Sequence, residues 1–319
     1  MFDIIGLGEL LVDFTPYGKS AQNNDLFEAN PGGSVANFTV AAARLGSRTA
    51  FMGKLGDDMF GHQLFEVMRG YGVNTDGVVF TGDYMTTLAF VKLYENGERD
   101  FSFYRKLGAD AMLDTQDINF KMLEDSKAVH FSSLTLVNET CFRATEKAIA
   151  QAKKSGAMIT YDPNWRPNLW DDPEYCRFAM GKGMFWADVV KVSEEELRYI
   201  TGIEDDVQAA ENVLARGPRL VIETMGEGGS TFFCTNGSKH VTAYSVKAVD
   251  ATGAGDACFG AIVHGIIKNN ISLDNIDTNK LQSVLKFANA TAAISVMGRG
   301  GMPSLPTYEQ VVEFMNQRG

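Results

Sequence analysis

Short apolar, β-branched runs recur along the chain at residues 4–7, 49–52, 128–131, 158–161, 189–192 and 220–223. Continuous apolar runs of this length predict strands buried on both faces. Between many of them the spacing becomes helical. Residues 34–45 place apolar side chains on one helical face and stop at Gly46, a good residue just past a helix end. Ser193-Glu194-Glu195-Glu196 is a capping box that opens a helix directly after a strand. Residues 138–154, 257–267, 287–297 and 308–317 read as further helices. Strands alternating with helices predict βαβ units, hence an α/β fold whose mostly parallel central sheet is covered on both faces. No repeat, low-complexity linker or clear boundary breaks the pattern, so residues 1–319 are expected to form a single domain.

One segment departs from the alternation. Residues 88–94 and 99–104 are strand-like and flank Glu95-Asn96-Gly97-Glu98, a two-residue hairpin signal. That turn predicts Phe90 opposite Phe103 and Lys92 opposite Phe101, with aromatics on one face. An antiparallel hairpin does not belong in a parallel core. It is expected to be a flap over the C-terminal edge of the sheet, where open α/β folds bind ligands; periodicity alone leaves an edge hairpin without a role equally open.

Composition narrows the function. The 319 residues are 45% hydrophobic and 22% charged, and the net charge of −11 argues against nucleic acid or an anionic membrane surface as partner. In so acidic a chain, a phosphate group must be held by local dipoles, a few cations or Mg²⁺. Cys141, Cys176, Cys234 and Cys258 are widely spaced, so neither structural zinc nor a disulfide framework is expected. His62, His130, His240 and His264 are scattered and read as packing or surface residues. The N-terminus carries no basic segment and no long apolar run, which predicts a cytoplasmic protein.

Candidate chemistry concentrates in Val249-Asp250-Ala251-Thr252-Gly253-Ala254-Gly255-Asp256, which runs into an apolar helix. A small-residue turn opening a helix leaves backbone N–H groups free to hold an anion. A carboxylate on that first turn works against anion binding alone. It fits a site where Asp256 takes a proton from a hydroxyl while the N–H groups hold a transferring phosphoryl group. The same residues also fit a plain tight turn with an acid complementing the helix dipole. Asn30-Pro31-Gly32-Gly33-Ser34-Val35-Ala36-Asn37 offers bare backbone and an amide to a polar ligand such as a sugar, and also fits a plain turn with a helix cap. Asp13, just after the first strand, is a good acceptor for sugar hydroxyls; the alternative is a solvated loop acid. Glu223-Thr224-Met225-Gly226-Glu227-Gly228-Gly229 follows a buried strand as a loop that admits a flat ring or a phosphate. A dinucleotide fingerprint fails because Leu11 stands where its third glycine belongs; no P-loop or protein-kinase signature is present.

Together these motifs resemble the ribokinase-like (PfkB) carbohydrate kinases over essentially the whole chain, most closely the plant and bacterial fructokinases. The resemblance rests also on Gly53-Lys54-Leu55-Gly56-Asp57-Asp58, Phe103-Tyr104-Arg105, Tyr161-Asp162-Pro163-Asn164-Trp165-Arg166 and Lys191-Val192-Ser193-Glu194. It implies Asp256 as general base and the N–H groups of Gly253, Ala254 and Gly255 as the anion hole. It implies Asp13, Gly32, Gly33, Asn37, Arg105 and Arg166 at the sugar, and Lys191, Thr224, Gly226, Gly229 and Asn289 at ATP. Glu194 would organise the water shell of Mg²⁺; Asp250, Thr252, Ser295, Gly298, Gly300 and Ser304 would surround a K⁺ ion. Lys191 stands where relatives usually carry asparagine, and Ala251 where threonine is common. Lid strands are expected at about 14–30 and 84–106, with a homodimer formed through them. The implied reaction is ATP-dependent phosphorylation of the 6-hydroxyl of fructose. Arg105 and Arg166 keep 2-keto-3-deoxygluconate kinase as the alternative, since two arginines grip a carboxylate well. A non-catalytic sugar-binding regulator is disfavoured by the intact Asp256 and glycine turn.

Overall fold

The computed structural model describes residues 1–93, 99–106 and 108–318. Its strands are β1 (Phe2–Leu7), β2 (Leu11–Lys19), β3 (Asp25–Gly32), β4 (Thr49–Gly56), β5 (Asn74–Thr81), β6 (Leu88–Leu93), β7 (Arg99–Tyr104), β8 (Ser126–Ser132), β9 (Met158–Asp162), β10 (Val189–Ser193), β11 (Leu220–Thr224), β12 (Ser230–Cys234) and β13 (Gly237–Val241). Its helices are α1 (Ser34–Arg44), α2 (Met59–Gly70), α3 (Phe120–Glu124), α4 (Glu139–Lys154), α5 (Pro173–Trp186), α6 (Glu194–Thr201), α7 (Asp206–Leu214), α8 (Ala254–Lys268), α9 (Thr278–Ser295) and α10 (Tyr308–Asn316).

The expected parallel sheet is present. It has nine strands in the order β13-β12-β11-β10-β9-β8-β1-β4-β5, and only the pairings that involve β12 are antiparallel. Each run predicted as a strand lies in it. Successive strand residues face opposite sides: Ile5 and Leu7 pack toward α4 and α5, while Ile4 packs toward α8 and α9. Both faces are covered, which is why the strands read as unbroken apolar runs rather than as alternation. The strand order reverses at β1, which lies between β8 and β4. Ligands of open α/β sheets bind beyond the strand ends at such a switch point.

The capping signals hold. Ser193 and Glu196 form the reciprocal box that starts α6, and Gly46 after α1 has φ 97°. Helix α9 starts earlier than its apolar spacing predicts, at Thr278, where Asp277 accepts bonds from the N–H groups of Asn279 and Lys280. All four cysteines are free and buried. Among the described residues no helix is long and apolar enough to cross a membrane.

Strands β3, β2, β6 and β7, in that order, make a separate four-stranded sheet. Its β6–β7 register corrects the expected one. Phe90 pairs with Ser102 and Lys92 with Asp100, one residue away from a two-residue turn at Asn96-Gly97; the turn itself lies outside the described residues. A one-residue slip sends side chains to opposite faces. Phe90 stacks on Phe14 at 4.8 Å and meets Phe27 and Tyr104 edge-on. Phe103 is on the other face, beside the cavity described next. The aromatics thus divide between both faces, because packing against Phe14 outweighs the local turn preference.

Candidate active site

Two helix N-termini converge at the switch point. Gly33 precedes α1 with φ 106°, and a Cβ there would stand 2.5 Å from the Glu9 carbonyl, so only glycine fits. Gly253 precedes α8 with φ 76°, and a Cβ would press on Asn37 and Gly301 at 3.2 Å. Across this junction Asp256, in the first turn of α8, accepts hydrogen bonds from Ser34 Oγ at 2.7 Å and Asn37 Nδ2 at 2.9 Å. Burial raises the Asp256 pKa, while Lys191, the two hydrogen bonds and Arg166 act to lower it.

A cavity of about 330 Å³ opens in front of Asp256. Asp13, Gly33, Asn37, Arg166, Thr252 and Gly253 line it, with Glu9, Ser34, Phe103, Leu134 and Asn164. Asp13 accepts no side-chain hydrogen bond among the described residues, although it is 7% exposed. Gly32 leaves it room, since a Cβ would stand 2.1 Å from Asp13 Oδ2. Burial pushes the Asp13 pKa up to about 7; Arg166 opposes this, and Asp256, Asp250 and Glu9 add to it. Glu9 reaches about 7 for the same first reason, burial, while accepting bonds from Val35 N–H and Ser132 Oγ. Asn164 takes a left-handed φ of 43°, a strained conformation at the cavity wall, held by its N–H donating to Asp162.

Arg105 is not where it was expected. It is buried, with Nε donating to Asp110 Oδ2 at 2.7 Å and Nη2 to the Leu134 carbonyl at 3.0 Å. The guanidinium fork is engaged by a carboxylate five residues on and does not line the cavity. Arg166 does, and it is the one cation among the described lining residues.

A second cavity of about 450 Å³ lies behind the turn, lined by Thr224, Gly226, Gly229, Ala251, Ala254, Gly255 and Asn289 among others, with more apolar surface than polar. The residues 251–256 therefore form the wall between the two cavities. Ala254 N–H donates weakly to the Ala251 carbonyl at 3.3 Å. Gly253 and Gly255 N–H groups have no partner among the described residues. Asn289 lines the second cavity, yet its amide is spent on Ser230 Oγ and the carbonyls of Val241 and Thr242. It builds the wall rather than reaching outward.

Lys191 sits against the turn: a Cβ on Gly255 would lie 3.3 Å from Nζ. Its ammonium meets Asp162 at 2.7 Å. Burial opposes the lysine charge, but Asp162, Glu196 and Asp256 outweigh it and raise its pKa. Lys191 is thus a fixed positive charge under the glycine turn.

The six residues expected at K⁺ share one corner. Asp250 accepts bonds from the N–H of Thr252 at 2.8 Å and of Gly300 at 2.9 Å, tying two loops together. Ser304 Oγ donates to the Gly300 carbonyl, Gly298 N–H to the Ser295 carbonyl, and Gly298 leaves room for Ser304. Glu194 lines neither cavity, but it follows Ser193, which pairs with the cavity residue Thr224, and it groups with Asp206 and Glu223.

Sequence reasoning missed Ser34, Glu9 and Asp162 as members of the site. Their partners are far away in sequence: 222 residues separate Ser34 from Asp256. The one local signal was that Ser34 and Asn37 share a face of α1, one turn apart.

The pfkB family carbohydrate kinase model matches residues 1–308. Fructokinase-1 of Oryza sativa subsp. japonica is 40% identical over 317 residues, covering 98% of this chain and 97% of that protein. A fructokinase from Xylella fastidiosa with bound ATP superposes with a TM-score of 0.92 at 31% identity, covering 99% of this chain and 98% of that one. A double mutant of fructokinase from Vibrio cholerae O395, bound to fructose, ADP and potassium ion, gives 0.89 at 31% identity and 98% coverage of each chain. With the motifs in order and two cavities meeting at one glycine turn, the chain belongs to the pfkB family of carbohydrate kinases.

Proposed function

We propose that this kinase transfers the γ-phosphoryl group of ATP to the 6-hydroxyl of fructose. The observation that carries the reading is the wall at residues 251–256, where Gly253 and the Asp256 carboxylate line the first cavity and Ala254 and Gly255 the second. Sugar occupies the first cavity, where Asp13, Asn37 and the backbone at Gly32 and Gly33 bind its hydroxyls and Asn164 and Arg166 border it. Asp256 accepts the proton of the attacking hydroxyl, its raised pKa bringing it nearer the working range of a general base. The N–H groups of Gly253 and Gly255, with Ala254 between them, face the charge that develops on the transferring group. Lys191 adds a fixed positive charge. ATP fits the second cavity, against Thr224, Gly226 and Gly229, with Asn289 holding that wall. Glu194 supplies a carboxylate for Mg²⁺, which when bound neutralises the phosphates; the acidic group around it suits a hard divalent cation. The corner of Asp250, Thr252, Ser295, Gly298, Gly300 and Ser304 offers hard oxygen donors that suit K⁺, and an ion there steadies the turn.

Fructose is favoured over 2-keto-3-deoxygluconate by charge. Glu9, Asp13 and Asp256 face one arginine in the first cavity, because Arg105 is consumed by Asp110. A carboxylate substrate would enter a site already crowded with acids. The sheet β3-β2-β6-β7 serves as the lid, with Phe103 toward the sugar. Its other face exposes Phe27 (43%) and Tyr104 (68%) beside Phe14 and Phe90. We assign that face to a second copy of this chain, since exposed aromatic patches of this kind mark interfaces.

Coupled ADP release with Mg²⁺-ATP and K⁺ is expected to give the highest kcat/KM for fructose among fructose, 2-keto-3-deoxygluconate, ribose and adenosine. Preference for the keto acid would replace the assignment.

Ser34→Ala removes a donor that holds the Asp256 pKa down. Asp256 acts only when ionised, so the acid limb of the kcat/KM profile should move to higher pH by about one to two units, given that a bond to a charged group contributes roughly 1.5–3 kcal/mol. An unmoved or lowered limb would contradict the general-base role.

Light scattering on the eluting protein should report a dimer, and a monomer for Phe27→Asp combined with Tyr104→Asp. A wild-type monomer, or a double variant that stays dimeric, would rule out this interface.

A further inference from the structure

Beside the second cavity, a cluster of carboxylates that does not line it stands at the C-terminal edge of β10 and β11. Glu194 begins α6, Asp206 begins α7, and Glu223 is the penultimate residue of β11. One carboxylate oxygen from each lies within 4.8 Å of the others. Glu223 pairs with Val192 and shares its face of the sheet, whereas Thr224, pointing the opposite way, lines the second cavity.

Acids at helix starts commonly need no ion, and Arg198 answers two of these three. It meets Asp206 at 3.1 Å and Glu194 at 4.0 Å. Glu223 is different. It is 2% exposed, and its Oε1 is buried without a hydrogen-bond partner. A buried carboxylate oxygen with nothing to bind is costly and needs a counter-charge. Burial, joined by Asp206 and Glu194 and opposed by Arg198, raises the Glu223 pKa to about 7. Three carboxylates and one guanidinium leave a net charge of −2, the complement of a divalent cation.

We infer that Glu223 and Asp206 complete, with Glu194, a divalent-cation site that holds its ion by direct carboxylate bonds and without nucleotide. The spacing allows it. At metal–oxygen distances of about 2.1–2.4 Å, ligands on opposite sides of one ion are roughly 4.2–4.8 Å apart. The oxygen-only ligand set selects hard ions such as Mg²⁺, Mn²⁺ or Ca²⁺ over zinc. The inference deepens the Mg²⁺ role proposed above for Glu194: neither Glu223 nor Asp206 belongs to the Lys191-Val192-Ser193-Glu194 motif, and the ion is in place before ATP arrives.

The test is a Mn²⁺ titration of the full chain without sugar or nucleotide, followed by the electron paramagnetic resonance signal of the free ion. The wild type is expected to bind one Mn²⁺ per chain at this site. Glu223→Gln and, separately, Asp206→Asn should weaken it by at least about tenfold, with circular dichroism unchanged. A wild type that binds no Mn²⁺ at millimolar concentration, or a Glu223→Gln variant that titrates like the wild type, would overturn the site. Fructose turnover by a protein that binds no Mn²⁺ alone would overturn this inference and leave the proposed function standing. Mn²⁺ binding lost in Glu223→Gln, in a protein that ignores fructose, would do the reverse.

Discussion

The site depends on one close approach, that of the N-terminal turns of α1 and α8. These helices pack side by side because Gly260 on α8 has no side chain: a Cβ there would stand 2.8 Å from the Phe38 carbonyl and 3.0 Å from Ala41 Cβ. The contact sets Ser34 and Asn37 at hydrogen-bond distance from Asp256, and Gly253 against Asn37. A carboxylate buried in such a place would ordinarily take up a proton. Two donors from α1 and the Lys191 charge beneath the turn limit that rise. The proposed proton acceptor and the proposed anion site are thus separated by a single helical turn, with Gly260 holding the two helices at a distance that a Cβ would not permit.

That arrangement explains why the two cavities differ in character. The first is rich in carboxylates, with Asp13 and Glu9 pushed to about 7 by burial, so it suits neutral polyols whose hydroxyls both donate and accept. The second is largely apolar and suits a flat ring. Because only residues 251–256 divide them, a group can pass from one to the other with little movement, and the requirement is positional rather than energetic. In the proposed function the small sheet closes the sugar side with Phe103, which lines the first cavity, and exclusion of water there protects against hydrolysis.

Much of the fold was legible because both faces of the sheet are covered, which turned the strands at 4–7, 189–192 and 220–223 into plain apolar runs. The glycine turn was legible because its whole meaning is local: small residues, a helix start and an acid within eight positions. What was not legible depends on partners far away in sequence or on competing contacts. Asn96-Gly97 predicts a tight turn, yet Phe90 is drawn onto Phe14 and shifts the register by one. The start of α9 is hidden because its first turn is polar and held by Asp277 rather than by apolar spacing. Arg105 looked like a substrate residue from its motif, but only the fold reveals Asp110 beside it. Ser34 carried no signal of its own, and its bond to Asp256, 222 positions further on, leaves no trace along the chain.

The central claim is that Asp256 performs the proton transfer while the surrounding wall binds both substrates. Rapid-quench single turnovers of Asp256→Asn with fructose and Mg²⁺-ATP test it most directly. General bases contribute about 10²–10⁴-fold, so formation of the phosphorylated sugar should slow by that factor while the affinities for fructose and ATP, measured separately, stay within a few-fold of wild type. Phosphoryl transfer at the wild-type rate would contradict the account, because the carboxylate would then be a structural anchor for α1 and not the base.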